Sequence, residues 1–226
     1  VMNLIAAPVR FGLNLFLASC LMPKDYGAMV IPGVIVGIAM ILVDSGFKAS
    51  LIQKSTLKAA HCSTIFYVNL LVSSVLFLLF LLLAFPLEYF FGIEHLSQLI
   101  IITSLSLVIR SLSMVSEARM QIKGKYGLLI FIEMISYVIA YFVAIYMAKN
   151  SYGAMSIAFL ALVSAIFYST GLFVVDRFIP KVKLVSKKLF WLHWRMGKSL
   201  LGQGLLEAVS DKFDEVVLGK FIGVYK

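Results

Sequence analysis

The chain has 226 residues, 62% of them hydrophobic and only 14% charged, with a formal net charge of +9. Soluble domains run near 45–50% apolar and about 25% charged, so this composition excludes a soluble globule. The basic surplus sits in the connections between apolar runs, which accounts for it without a nucleic-acid partner.

The first apolar run covers residues 1–22 and carries Arg10 in its middle. Because it starts at Val1 and shows no small-residue cleavage site, it reads as the edge of a longer protein rather than as a signal peptide. The second run, 27–43, is followed by Asp44-Ser45-Gly46, where Gly46 is expected to end the helix. Beyond it Phe47, Leu51 and Ile52 share one helical face while Lys48, Lys54 and Lys58 point elsewhere, the pattern of an amphipathic helix lying along the membrane surface. The third run, 63–85, holds no formal charge over a length that crosses roughly 30 Å of hydrocarbon. Pro86 to Phe91 then read as an aromatic anchor at the opposite interface.

The fourth run, 99–122, contains Arg110, with Glu117 and Arg119 near enough to its end to snorkel. The fifth, 126–148, contains Glu133, and the sixth, 153–175, has no charge. A basic stretch with Phe190, Trp191 and Trp194 interleaved leads to a seventh run from about Ser199, which carries Glu207, Asp211 and Asp214. The fold class expected is therefore all-α, a polytopic transmembrane bundle. Its division is a six-helix lobe over 1–175, a basic loop over 176–198 and the start of a seventh helix over 199–226.

Charge alternates between the connections. Those after runs 2, 4 and 6 are rich in lysine and arginine, whereas those after runs 1, 3 and 5 carry little beyond Lys24, Asp25, Glu88, Glu94 and Lys149. By the positive-inside rule the basic connections, and with them the N-terminus, are expected in the cytoplasm. Cys20 and Cys62 lack a CxxC spacing, and His61, His95 and His193 stand far apart in sequence, so no metal site is expected.

Ionisable residues inside apolar spans are costly in lipid and mark sites by default. Counted from the outer ends of their helices, Arg10 and Arg110 lie about 18 and 16 Å deep. Facing inward together, they could hold a phosphate or pyrophosphate through charge-assisted bidentate hydrogen bonds. The competing reading pairs them with Glu133 or Glu207 in structural salt bridges. Glu133, Glu207 and Asp214 are the candidates for coupling to a proton or Na⁺, and no other cofactor is expected.

Three phrases then combine. "LASCLMPKDYG" (17–27), "LVDSGFKASLIQK" (42–54) and "DKFDEVVLGKFIG" (211–223) resemble, in order, the helix-1 ending, the post-helix-2 signature and the helix-7 pattern of bacterial polysaccharide exporters, flippases of the multidrug/oligosaccharidyl-lipid/polysaccharide superfamily. The resemblance implies a two-lobe transporter of the inner membrane. Its cargo would be undecaprenyl-pyrophosphate-linked repeat units for O-antigen or exopolysaccharide, moved by alternating access, with membrane lipid and other polysaccharide assembly proteins as partners. It assigns no reaction centre, and no GxSxG, HExxH or paired-carboxylate motif points to an enzyme. The drug/cation antiporter and peptidoglycan-precursor flippase branches of the superfamily stay open, as do, outside it, a membrane polymerase or ligase and a non-transporting scaffold.

Overall fold

The computed structural model describes the backbone of residues 2–54 and 58–222, and their side chains except for 2–6, 44, 45, 205 and 207–222. Seven helices follow one another: α1 (Met2–Cys20), α2 (Pro23–Ile52), α3 (Ala59–Phe91), α4 (Leu96–Ile122), α5 (Tyr126–Lys149), α6 (Ala154–Asp176) and α7 (Lys187–Ile222), with a 3₁₀ turn at Val182–Leu184. Among the described residues, five of them, α2 to α6, are long and apolar enough to cross a membrane. The protein is an all-helical, multi-pass membrane bundle.

Local chemistry sets several of the boundaries. Pro23 takes the first position of α2, where its missing N–H costs nothing, and the Asp25 carboxylate accepts the Met22 N–H at 2.9 Å. Asp25 also abuts Gly153, whose φ of +51° and lack of a side chain let the α5–α6 turn approach it. The "MPKDYG" phrase is thus a helix start wedged against a neighbouring turn. At the other end of the next hairpin, α3 runs through Pro86 to Phe91 and stops at Gly92 in the left-handed region. The expected separate anchor at Pro86–Phe91 is therefore the last turns of α3, with Tyr89 and Phe90 fully out on the surface. Glu88 from this turn accepts the N–H groups of His95 and Ser97 and so caps α4.

α4 is the central post, packed against α2, α3 and α6. It can be central because small polar residues line it: Ser104, Ser106, Ser111, Ser113 and Ser116 are all buried. Serine lets helix backbones approach closely, and each hydroxyl can return to its own helix or reach a neighbour. Ser73 of α3 donates to Ser111 Oγ at 2.8 Å, and Ser169 of α6 to the Ile109 carbonyl at 2.8 Å. α5 packs on α6, and α1 rests on α5, at the edge of the bundle.

Two expectations about boundaries are corrected. Gly46 does not end a helix, because α2 continues to Ile52 and carries "DSGFKASLI" as its last turns. Those turns are not spread on the membrane surface: Phe47, Ser50 and Leu51 are buried, and Lys48 is paired with Glu117 of α4. The reason lies in the second correction. α7 begins at Lys187, not near Ser199, so half of the stretch read as a loop is helix, and it crosses α2 where Gly46 meets Gly197. A β-carbon on Gly197 would stand 2.6 Å from the Gly46 carbonyl oxygen, and one on Gly46 would stand 2.8 Å from the Gly197 carbonyl oxygen. Glycine is there for contact, not for termination.

Candidate functional site

Two of the charges singled out from the sequence meet between α1 and α5. Arg10 Nη2 of α1 lies 2.9 Å from a carboxylate oxygen of Glu133 on α5. The guanidinium carbon stands 4.5 Å from the centre of the Tyr137 ring, one turn further along α5. Another turn on, the Tyr141 hydroxyl donates to Asn14 Oδ1 at 2.6 Å. Spacings of four residues, 133/137/141 against 10/14, put these groups on facing helix stripes and make a polar ladder of the α1–α5 seam. Leu17 and Ala144 close it with apolar contacts.

The ladder is incompletely closed. The side chains of Arg10 and Glu133 keep 35% and 27% of their exposure, while the Arg10 Nε, itself buried, meets no hydrogen-bond partner among the described residues. The guanidinium thus has one edge on a carboxylate and one face on a tyrosine.

Arg110 of α4 is placed in the same style, its guanidinium carbon 4.8 Å from the centre of the buried Tyr168 ring of α6. Tyr168 lies within electrostatic range of Arg110, Glu117 and Glu133 together. The helices bearing the two arginines do not pack on each other, since α1 rests on α5 and α4 on α2, α3 and α6. Arg10 and Arg110 are thus linked through Glu133 and Tyr168, across four helices, rather than side by side. Of the remaining candidates, the side chains of Glu207, Asp211 and Asp214 lie outside the described residues.

Toward the lysine- and arginine-rich end the charges are paired more completely. Glu117, expected to snorkel, instead takes Lys48 and accepts from Gln121. Arg119, expected to do the same, sits 2.8 Å from Asp176, whose fully buried carboxylate also meets Lys123 at 2.9 Å. These ties fasten α2 to α4 and α4 to α6.

Sequence reasoning missed one cluster altogether. His61 and His193, far apart in the chain, are both buried and meet Nδ1 to Nε2 at 2.9 Å; His193 Nδ1 lies 2.9 Å from Ser50 Oγ, also buried. The Ser50 hydroxyl donates to the Phe47 carbonyl at 2.7 Å, which fixes every other proton. His193 Nδ1–H must donate to Ser50, and His61 Nδ1–H must donate to His193 Nε2. Burial, then His61, then Lys54 hold the His193 imidazole down to about 4, so it is neutral. Ser50 has neither a free proton nor access, which excludes it as a nucleophile. No local spacing could have revealed this cluster, because α2, α3 and α7 supply one residue each. Among the described residues no group of three or more His, Cys, Asp or Glu could hold a metal ion. An open depression of about 500 Å³, lined by Gln98, Ile102, Tyr146 and Phe159 among others, lies at the other end of the bundle, away from both arginines.

The bundle can now be set beside known proteins. A family model described as polysaccharide biosynthesis protein matches residues 16–226. The chain belongs to this polysaccharide biosynthesis family. It is also 27% identical over 121 residues to an uncharacterized membrane protein in the cps region of Klebsiella pneumoniae, a match that covers 54% of this chain and 25% of that protein. No solved structure matches it. For this family member a role in polysaccharide biosynthesis and a multi-pass membrane location follow. The glycine contact and the Asp25 cap give two of the phrases noted in the sequence a structural meaning.

Proposed function

We propose that the protein is the membrane lobe of a flippase that carries undecaprenyl-pyrophosphate-linked repeat units across the bacterial inner membrane, working by alternating access with a second lobe. Arg10 and Arg110 hold the pyrophosphate, and the N-terminus lies in the cytoplasm with the basic connections. One observation carries this reading: Arg10, in an apolar helix, rests on the Tyr137 ring beside Glu133, and the two charged side chains stay partly exposed. Family membership supplies the polysaccharide, and the seven-helix bundle supplies the route. The role is transport without a bond-making step, and a proton or Na⁺ is the only cofactor it calls for.

The test is made in cells that depend on the full-length gene product. Arg10→Ala and Arg110→Ala should each abolish surface polysaccharide and leave lipid-linked repeat units on the inner leaflet, with normal amounts of protein in the membrane. Export at the wild-type level by both variants would rule out the assignment. Lysine at either position should restore little, because it lacks the planar, two-pronged donor edge.

A further inference from the structure

The first turns of α7 have two faces, and the protein buries only one of them. His193, Gly197 and Leu201 are buried where α7 lies on α2 and α3. The other side carries Lys187, Lys188, Trp191, Trp194, Arg195 and Lys198, all exposed. At about 100° of turn per residue these six fall in one stripe about 120° wide. The chain's two tryptophans are both in it; Trp191 keeps 55% of its exposure and Trp194, which leans on Phe47 and Phe190, keeps 37%. Charge is as one-sided as packing. From Arg177 to Leu206 the chain has seven Lys or Arg and no Asp or Glu, and none of the seven forms a salt bridge among the described residues. Lys48, Arg119 and Lys123, at the same end of the bundle, are all paired.

The stripe also sits at a definite level. α7 crosses α2 at Gly46, two residues from Lys48, and Asp176, tied to Arg119, is the last residue of α6. Those charges mark where the spanning helices leave hydrocarbon, so the first turns of α7 run beside the lipid headgroups. We propose that this stripe docks on anionic phospholipid of the adjacent leaflet, its cations against the phosphates and its indoles among the headgroups. Three features select that partner. Lysines and arginines placed just beyond a spanning helix are drawn to a negative lipid surface. Tryptophan is the side chain favoured at that depth, with its ring toward the acyl chains and its N–H toward water. Ile179 and Val182, 77% and 69% exposed in the preceding connection, add apolar surface that an acidic soluble partner would have no reason to meet at this level. The start of α7 is then held from both sides, by α2 and α3 on one and by lipid on the other. This holds whatever the protein carries, and so stands apart from the flippase reading.

The probes are dioleoyl-phosphatidylglycerol and dioleoyl-phosphatidylcholine, which differ in headgroup charge and share their acyl chains. Each is titrated into the purified full-length protein in neutral detergent, and native mass spectrometry reads the affinity of the first lipid bound. Wild type should prefer phosphatidylglycerol. Lys187→Gln/Arg195→Gln should lose about fivefold of that affinity for each charge removed and fall toward the value for phosphatidylcholine. Both side chains are exposed, so the double variant should fold as wild type does. Lys24→Gln/Lys125→Gln removes the same charge from other connections and should keep the preference. No preference for phosphatidylglycerol in wild type would overturn the proposal. So would an equal loss in the two double variants, which would leave the stripe to an acidic protein partner.

Discussion

The seam between α1 and α5 and the joint at the basic end, where α7 crosses α2 and α3, both bury polar groups. They satisfy them in opposite ways. At the joint, Ser50, His193 and His61 form a chain in which each proton has one place to go, and the two backbones touch through Gly46 and Gly197. At the seam, a formal ion pair stays about a third exposed and a guanidinium N–H has no acceptor among the described residues. Full satisfaction makes a polar cluster a fastener; a partly exposed ion pair holds its helices less firmly. The joint therefore welds the first turns of α7 to the lobe, while the seam is where the lobe can respond.

The largest expected effect breaks the weld by volume. Gly197→Leu forces side-chain atoms into the Gly46 carbonyl, so α7 must lift from α2, with a loss on the order of 3 kcal/mol or more. Thermal unfolding in detergent should fall steeply, whereas Gly202→Ala, with open space around its β-carbon, should change little.

Second comes His193→Ala, which leaves the buried His61 Nδ1–H without its acceptor, removes a donor from Ser50 and should cost about 2–3 kcal/mol. The same joint should respond to pH. With the imidazole held down to about 4 in the docked state, against an ordinary value of 6.5, the undocked state binds the proton more strongly. Docking is thus at full strength above pH 6.5 and weakens as pH falls from there toward 4. Hydrogen exchange of residues 187–201 should report that loss in wild type. In His193→Phe this pH dependence should shrink to what His61 contributes, and a His193→Phe/His61→Phe variant that keeps the full dependence would mean another group controls the joint.

Third, the seam should show the signature of an ion pair rather than of a fastener. Arg10→Ala leaves Glu133 without its partner and should lower the melting temperature more than the double variant Arg10→Ala/Glu133→Gln, which removes both charges. Equal losses would show that the pair contributes nothing beyond packing. The smallest effect is expected from Tyr141→Phe, which gives up one bond to Asn14 and should cost about 0.6 kcal/mol, the average for polar contacts between membrane helices.

Much of this was legible along the chain. Among the described residues, the five of the six apolar runs that became α2 to α6 are long and apolar enough to span, whereas the first, α1, is not one of them, and Arg10, Arg110 and Glu133 announce themselves as charges within apolar helices. What Gly46 does was not legible. The same residue that ends a helix in one context permits backbone contact in another, and only the position of Gly197, 151 residues later, decides between them. Nor could the start of α7 be read, since Lys187 to Lys198 has the composition of an interfacial loop and is helical because its buried face packs on α2 and α3.

The sequence by itself determined a multi-pass helical membrane protein with charges kept within its apolar helices, because crossing lipid demands long apolar helices and penalises every ion within them. The tertiary structure alone decided which of those ions are paired and which histidines meet. Those depend on which helix faces which, and in a bundle of near-uniformly apolar helices no local pattern specifies the neighbour.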